Sequence, residues 1–174
     1  MMERGLIQVY TGAGKGKTTA AIGQAIRACG HGLKAIMIQF MKGKTDYGEL
    51  RAAESLPNFS IEQYGLPTFV EKGNPSEEDL RLAREGFARA REVIESREFD
   101  LVIMDEINVA VDYGLIPLDD VLKVMEKKPP TVELILTGRY AHPQISKRAD
   151  LVTEMVDIKH HYESNIQARK GIEY

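Results

Sequence analysis

The sequence predicts an α/β fold in which a mostly parallel sheet of about six strands carries helices on both faces. Short apolar runs alternate along the chain with segments of helical periodicity. Most of these runs are almost continuously apolar, which is typical of strands that helices bury on both faces. The predicted strands are residues 6–10, 35–40, 59–64, 101–104, 132–136 and 151–158.

The predicted helices are residues 17–29, 46–55, 76–97, 118–126 and 143–149. The third of them has the strongest sequence support. Ser76 and Asp79 form a start that resembles a capping box, and apolar side chains then recur at helical spacing on one face. These apolar residues are Leu80, Ala83, Phe87, Ala90, Val93 and Ile94. Arginine and glutamate fill the other face, which we interpret as a solvated surface.

The length and composition predict a single domain that spans residues 1–174. A chain of 174 residues with 43% hydrophobic content is long enough for one full core and too short for two ordinary domains. The net charge is −3 and the basic residues are scattered among acids, so we expect neither nucleic acid nor a membrane as a partner. The single cysteine, Cys29, excludes an internal disulfide framework and is interpreted as a small buried side chain. There is no signal sequence and no run long enough to span a bilayer, which predicts a cytoplasmic protein.

A phosphate-binding loop follows the first predicted strand. Its residues are Thr11, Gly12, Ala13, Gly14, Lys15, Gly16, Lys17, Thr18 and Thr19. In a strand, glycine-rich loop and helix arrangement, the loop amides and the N-terminus of the helix converge on an anion. Lys17 is placed to reach the outer phosphates and the Thr18 hydroxyl to bind Mg²⁺. The motif therefore predicts a nucleoside triphosphate site on a P-loop NTPase-like (RecA-like) three-layer sandwich.

The loop departs from the general pattern G-x-x-x-x-G-K-S/T at its first position. Thr11 stands where that pattern has glycine, and the glycines have moved inward to Gly12 and Gly14. These two residues can take a positive φ, whereas a β-branched threonine cannot do so without strain. We therefore expect the entry to the loop to differ from the ordinary shape and the triphosphate to lie in it differently.

Polar side chains follow two further predicted strands. Asp105 and Glu106 end the strand at 101–104, which is the arrangement that places a carboxylate opposite a phosphate loop to hold Mg²⁺. Arg139 follows the strand at 132–136 and either pairs with phosphate at the same edge or is a surface residue on a turn. His160 and His161 are adjacent and would point to opposite faces of a strand, so a shared metal ion is not expected.

The loop at residues 65–75 is rich in glycine and proline yet carries Leu66, Phe69 and Val70. An apolar loop either folds under the core or presents a hydrophobic lip to a ligand. The sequence alone leaves both alternatives open.

Taken together, these segments resemble the ATP:corrinoid adenosyltransferases of the P-loop type, over essentially the whole chain. The resemblance rests on residues 11–21, 30–32, 39–43, 105–106, 137–139, 159–160 and 171–174. It implies that Co(I) of a reduced corrinoid attacks the 5′ carbon of ATP and that triphosphate leaves, with ATP bound in an inverted sense. Negative charge then grows on the phosphate oxygen next to C5′, and fixed cations there stabilise the transition state.

The resemblance also implies roles for particular residues. Lys17 and the loop amides stabilise the leaving group, and Lys15 and Arg139 add positive charge. Thr18 and Glu106, with Asp105 beside them, hold Mg²⁺, so Lys17 and Glu106 are the expected catalytic residues. Phe69, and after it Leu66, meets the corrin and favours a four-coordinate cobalt. The resemblance further implies a homodimer, and because no flavin-binding pattern is present, an external reductase such as a flavoprotein.

Two other functions compete with this interpretation. A small kinase or ATPase would use the same loop for phosphoryl transfer and would yield ADP, but no arginine-rich lid segment is visible. A nucleotide switch would bind without chemistry, but the Asn-Lys-x-Asp sequence that selects guanine is absent. The phosphate product of a turnover assay separates the three functions.

Overall fold

The computed structural model describes residues 3–43 and 46–173. The strands are β1 (Ile7–Thr11), β2 (Ala35–Phe40), β3 (Phe59–Tyr64), β4 (Leu101–Asp105), β5 (Glu133–Thr137) and β6 (Leu151–Glu154). The helices are α1 (Lys17–Gly30), α2 (Gly48–Glu54), α3 (Glu77–Ser96), α4 (Ile107–Asp112), α5 (Leu118–Lys127) and α6 (Pro143–Arg148), followed by a 3₁₀ turn at His161–Ser164. Tyr174, which closes one of the segments that carry the family resemblance, lies outside the described residues.

The six strands form one sheet in the order β3-β2-β4-β5-β1-β6, and every neighbouring pair is parallel. Side chains of β2 and β4 alternate between two hydrophobic clusters. Ile36 and Val102 belong to the cluster that α3 to α6 cover, whereas Met37 and Ile103 belong to the cluster under α1 and α2. Successive residues of a strand face opposite sides of the sheet, so helices cover both faces, as the apolar runs predicted.

Helix α3 has the start and the buried face that the sequence predicted. The Ser76 side chain accepts a hydrogen bond from the Asp79 N–H, and the Asp79 carboxylate accepts one from the Ser76 N–H. Two amides that would otherwise lack partners at the helix N-terminus are satisfied in this way. The solvent-facing side carries ion pairs such as Arg81 with Glu78, which agrees with a solvated surface.

Two elements differ from the prediction. Helix α4 was not predicted, and β6 ends at Glu154 rather than at residue 158. All four residues of β6 are exposed, whereas a strand buried on both faces was expected. The Cys29 side chain is only half-buried, and its thiol donates a hydrogen bond to the Asn58 carbonyl at 3.3 Å.

The parallel sheet places the ends of several strands at one edge. Tyr10 of β1 is in register with Thr137 of β5, and Gln39 of β2 is in register with Asp105 of β4. The residues that follow these strands therefore meet at the carboxyl edge of the sheet, where ligands of open α/β sheets bind. Among the described residues, no helix is long and apolar enough to cross a membrane.

Candidate nucleotide site

The loop between β1 and α1 has the expected glycine-dependent shape, with one difference in detail. Gly12 has φ +99° and Gly16, directly before α1, has φ +118°. Gly14 does not have a positive φ, so the expectation for this residue was wrong. Its glycine is required for space instead, because a Cβ there would lie 2.8 Å from the Met155 carbonyl oxygen. The Gly14 N–H also donates to that oxygen at 2.7 Å, which fastens the loop to the segment after β6.

Lys17 is the buried cation of the loop. Its ammonium donates hydrogen bonds to the carbonyls of Gly12 at 2.8 Å and Gly14 at 2.6 Å. Burial lowers the pKa of Lys17, an effect that Glu106 opposes and Arg139 reinforces. The ammonium is therefore held at the mouth of the loop by two carbonyls of the loop itself.

Asp105 is fully buried and receives four hydrogen bonds. Its Oδ1 accepts from the hydroxyls of Thr18 at 2.8 Å and Thr137 at 2.6 Å. Its Oδ2 accepts from Gln39 Nε2 at 3.1 Å and from Lys42 Nζ at 2.7 Å. Burial by itself would raise the pKa of Asp105, but Lys42 and the hydroxyl donors outweigh it and hold the pKa below its ordinary value. Since both carboxylate oxygens are occupied, Asp105 serves to orient Thr18.

Glu106 lies in a different environment from its neighbour. It has φ +63°, and its N–H donates to the Thr137 hydroxyl at 3.0 Å. This left-handed turn points the carboxylate toward Gly138, where a Cβ would lie 3.2 Å from Glu106 Oε2. Burial first, and the Asp105 charge second, raise the pKa of Glu106. An added cation near the Glu106 carboxylate would therefore favour its ionised form.

A cavity of about 560 Å³ lies between the phosphate loop and the C-terminal segment. Residues 14–19 and Ile22 line it from the phosphate loop and α1, and His160 with residues 171–173 lines it from the C-terminal segment. Four cationic side chains line it, namely Lys15, Lys17, Lys42 and Arg139. The acidic residues on the lining are Glu49, Glu106 and Glu173. A cavity that brings lysine and arginine side chains together beside a helix N-terminus suits a polyphosphate.

The predicted phosphate-binding residues divide into two groups. Gly14 to Thr19 and Arg139 line the cavity, whereas Thr11, Gly12 and Ala13 lie outside its lining. The Thr11 hydroxyl instead accepts a hydrogen bond from the Ala141 N–H at 3.2 Å and so links β1 to the segment after β5.

Sequence reasoning missed several residues of the cavity. Lys42, Tyr47 and Glu49 line it from the connection after β2, and Glu173 lines it from the end of the chain. Lys42 belongs to a segment that carries the family resemblance, but no property of that segment in isolation indicates that its ammonium reaches Asp105. The signal that could have located it is its position directly after a buried parallel strand, because such positions meet at the carboxyl edge.

The C-terminal segment is fastened to the phosphate loop through Lys15. Lys15 Nζ donates to Glu173 Oε1 at 3.0 Å and to the Ile172 carbonyl at 3.2 Å. Arg169 also contacts Glu173, through its guanidinium at 3.1 Å and through its backbone N–H at 2.7 Å. These donors hold the pKa of Glu173 well below its usual range, the Arg169 side chain contributing most.

The loop at residues 65–75 combines the two alternatives that the sequence left open. Val70 packs against the main hydrophobic cluster, whereas Phe69 is fully exposed and Leu66 is half-buried. Neither Phe69 nor Leu66 lines the nucleotide cavity. Lys72 fastens the far end of the loop, with its ammonium 2.6 Å from Asp112 and within 5.6 Å of the centres of the Tyr113 and Tyr140 rings. The loop therefore has one partly buried side chain packed on the core, Val70, beside the exposed aromatic side chain of Phe69.

His160 and His161 are not part of a strand. His160 precedes the 3₁₀ turn at His161–Ser164, and the two rings stack with centroids 4.4 Å apart. The expectation that the two side chains point to opposite faces was therefore wrong, since the chain leaves the sheet before it reaches them.

Comparison with known proteins decides the family. A family model described as ATP:corrinoid adenosyltransferase BtuR/CobO/CobP matches residues 3–174. The chain belongs to this family. A corrinoid adenosyltransferase of Escherichia coli (strain K12) is 37% identical over 172 residues, which cover 99% of this chain and 87% of that protein. The family resemblance inferred from the sequence motifs is thus confirmed.

Two further relatives of this adenosyltransferase agree with that assignment. A corrinoid adenosyltransferase of Pseudomonas aeruginosa is 34% identical over 99% of this chain and 85% of the relative. The corrinoid adenosyltransferase CobA of Salmonella typhimurium is 35% identical over 99% of this chain and 87% of its own length.

Among solved structures, a KaiC-like protein of Pyrococcus horikoshii OT3 superimposes with a TM-score of 0.60 at 17% identity. The match covers 89% of this adenosyltransferase and 74% of the KaiC-like chain. At this identity the likeness concerns the fold alone, and it confirms the predicted P-loop NTPase-like architecture.

Proposed function

We propose that this chain transfers the 5′-deoxyadenosyl group of ATP to the Co(I) centre of a reduced corrinoid and releases triphosphate, in cobalamin synthesis or salvage. The observation that carries the proposal is family membership over residues 3–174, together with a phosphate loop at the carboxyl edge of the parallel sheet. In the reaction, the cobalt electron pair forms a bond to C5′ and the electrons of the C5′–O bond leave with the triphosphate. No proton transfer is needed, so the protein acts by positioning and by electrostatics.

The phosphate end of the site is the better defined half. We assign the leaving triphosphate to Lys17 and the loop amides, with Lys15 and Arg139 as further cations. All three side chains line the same cavity. Charge grows on the oxygen next to C5′ as its bond breaks, so a cation fixed there lowers the barrier more than it strengthens ATP binding.

The donor set fits Mg²⁺. The Thr18 hydroxyl donates a hydrogen bond to Asp105, which leaves the oxygen lone pairs of Thr18 free to face a metal. In the described part of the chain, no hydrogen-bond donor contacts the Glu106 carboxylate, and burial makes its charge costly without a cation. We therefore assign Thr18 and Glu106 as metal ligands and Asp105 as the residue that orients Thr18. When bound, Mg²⁺ supplies positive charge to the phosphate oxygens.

The corrinoid end rests on the exposed loop. We assign Phe69 to contact with the corrin, because its side chain is fully exposed beside Val70, which is packed on the core. Leu66, half-buried at the start of the same loop, is the second candidate. An aromatic face that excludes a lower axial donor would favour four-coordinate cobalt. We further propose a homodimer of single-domain subunits in the cytoplasm, with electrons supplied by an external reductase such as a flavoprotein.

An anaerobic assay with Mg-ATP and chemically reduced cob(I)alamin tests the proposal. We expect a light-sensitive alkylcobalamin, formed together with tripolyphosphate that chromatography identifies. Lys17→Ala is expected to lower kcat by about 100-fold or more, the usual effect of removing one preorganised donor from a developing charge. Lys34→Met is the matched control, because Lys34 is exposed near the opposite end of β2. Formation of ADP without alkylation would refute adenosyl transfer in favour of phosphoryl transfer.

A further inference from the structure

Lys42 connects the phosphate loop, through Asp105, to the loop that carries Phe69. Its ammonium lies 2.7 Å from Asp105 Oδ2, and the two side chains are 18% and 0% exposed. Glu106 and Glu49 are the other acids that act on this ammonium. A buried ion pair of this kind holds its geometry firmly, because breaking it leaves an uncompensated charge in the interior.

The backbone around Lys42 lies directly on the start of the apolar loop. The Met41 N–H donates to the Tyr64 carbonyl at 3.0 Å, and Met41 takes the left-handed φ of +59°. A Cβ on Gly43 would lie 2.1 Å from the Gly65 oxygen, and a Cβ on Gly65 would lie 2.4 Å from the Lys42 nitrogen. The two segments touch backbone to backbone, so Lys42 cannot shift without moving Gly65.

A second connection runs through two glutamines. Gln39 Nε2 donates to Asp105 at 3.1 Å, and Gln63 Nε2 donates to Gln39 Oε1 at 3.0 Å. The other oxygen of Asp105 accepts from Thr18 in the phosphate loop. Asp105 therefore contacts the phosphate loop on one side and, through Lys42 and Gln39, the end of β3 on the other.

We propose that Lys42 is a positioning residue that couples the occupancy of the phosphate loop to the placement of residues 65–68, where the corrinoid loop begins. This inference rests on the proposed function for the identity of the two ligands. The fully buried Asp105 carboxylate has little freedom to move. A ligand that binds Thr18 therefore acts on Asp105, through Asp105 on Lys42, and through Lys42 on the backbone of Gly65. Filling of the phosphate site thereby orders the first turn of the loop that presents Leu66 and Phe69.

Hydrogen exchange of the Gly65, Leu66 and Thr68 amides tests the coupling, with Mg²⁺ and tripolyphosphate as the probe. In the unmodified chain we expect the probe to slow exchange at these amides by about tenfold, as for a local opening made less favourable. Lys42→Met keeps an unbranched side chain, one atom shorter, but removes its charge, and in this variant the probe is expected to change the rate less than about twofold. Lys42→Arg, which keeps the charge, restores most of the response, and the control Lys34→Met responds as the unmodified chain does.

The proposal is overturned if the unmodified chain shows no response to the probe, or if Lys42→Met responds fully. Should Lys42→Met fail to fold, Gly65→Ala provides the test, since it keeps both side chains of the ion pair but forces a methyl group against the Lys42 backbone and so alters the contact between the two segments. A full response in Gly65→Ala overturns the proposal as well. The measurement uses no corrinoid, so it is independent of whether the unmodified chain catalyses adenosyl transfer.

Discussion

Asp105 and Glu106 are adjacent in sequence and opposite in electrostatic environment. Asp105 accepts four hydrogen bonds, one of them from an ammonium, and its pKa is held below the ordinary value. Glu106 points away from Asp105 because of its positive φ, is half-buried without a hydrogen-bond donor among the described residues, and has a raised pKa. Two acids whose environments push their pKa values apart have different tasks. Here Asp105 holds the neighbouring side chains in place, whereas the Glu106 carboxylate is free to bind a cation.

Glu106→Gln is expected to stabilise the metal-free protein while it abolishes the response to Mg²⁺. The raised pKa means that ionised Glu106 weakens the fold, and this cost grows as the pH rises through that pKa. Removing the charge should therefore raise the free energy of unfolding at neutral pH, and the gain should vanish in acid, where Glu106 is protonated in both states. Denaturant unfolding at several pH values measures the difference. A variant less stable than the unmodified protein at high pH would contradict the assignment.

Asp105→Asn is expected to have the opposite effect on stability. The substitution leaves the Lys42 ammonium buried without its counter-ion, which typically costs about 3–5 kcal/mol. Denaturant unfolding of the variant measures this loss. Asp119→Asn is the matched control, because Asp119 is exposed in the first turn of α5. A loss no larger than that of the control would mean that the four hydrogen bonds of Asp105 do not act as a unit.

The sequence predicted some residues of the site and not others, and the range of the contacts explains the difference. Lys17, Thr18, Asp105 and Glu106 are recognisable because local motifs fix their surroundings. Lys42 is not, because its partner Asp105 lies 63 residues away. Such contacts depend on the order of the strands, which the periodicity of one segment does not encode.

At the level of elements, two predictions failed for identifiable reasons. Helix α4 has the sequence INVAVD, whose branched side chains favour strands, and it forms because the left-handed turn at Glu106 redirects the chain. The predicted strand at 151–158 stops at Glu154 because its partner β1 ends at Thr11. The Met155 N–H still donates to the Thr11 carbonyl, and the Met155 carbonyl accepts from the Gly14 N–H of the phosphate loop. In both places a residue of the phosphate site, rather than local propensity, sets the boundary.

The C-terminal segment yields a prediction about pH. Arg169 first, and Lys15 after it, lower the pKa of Glu173. The contribution of this carboxylate to stability is therefore fully present above the ordinary glutamate pKa of about 4.3 and is lost only as the pH falls below it. The contacts of Glu173 with Lys15 and Arg169 should thus survive mild acid. A carboxyl ¹³C NMR titration of Glu173 measures its pKa directly, and Lys15→Met should move it upward. A measured pKa of Glu173 at the ordinary glutamate value would show that its contacts with Lys15 and Arg169 do not form in solution.

At the level of the whole molecule, the parallel sheet gathers the site. The ends of β1, β2, β4 and β5 meet at one edge, so that residues distant in sequence surround a single cavity. The almost continuous apolar runs were sufficient to predict this architecture, since only helices on both faces can bury such strands. The position of the phosphate loop at the carboxyl edge follows from the same topology.

The phosphate loop is proposed to hold the leaving group of the reaction rather than a transferred phosphoryl group. We would test this with ATP enriched with ¹³C at C5′, incubated anaerobically with Mg²⁺ and cob(I)alamin. We expect the enriched carbon to appear as a cobalt-bound methylene and ³¹P NMR to show intact tripolyphosphate in equal amount. Enriched carbon that remains in ADP, with inorganic phosphate as the second product, would refute adenosyl transfer.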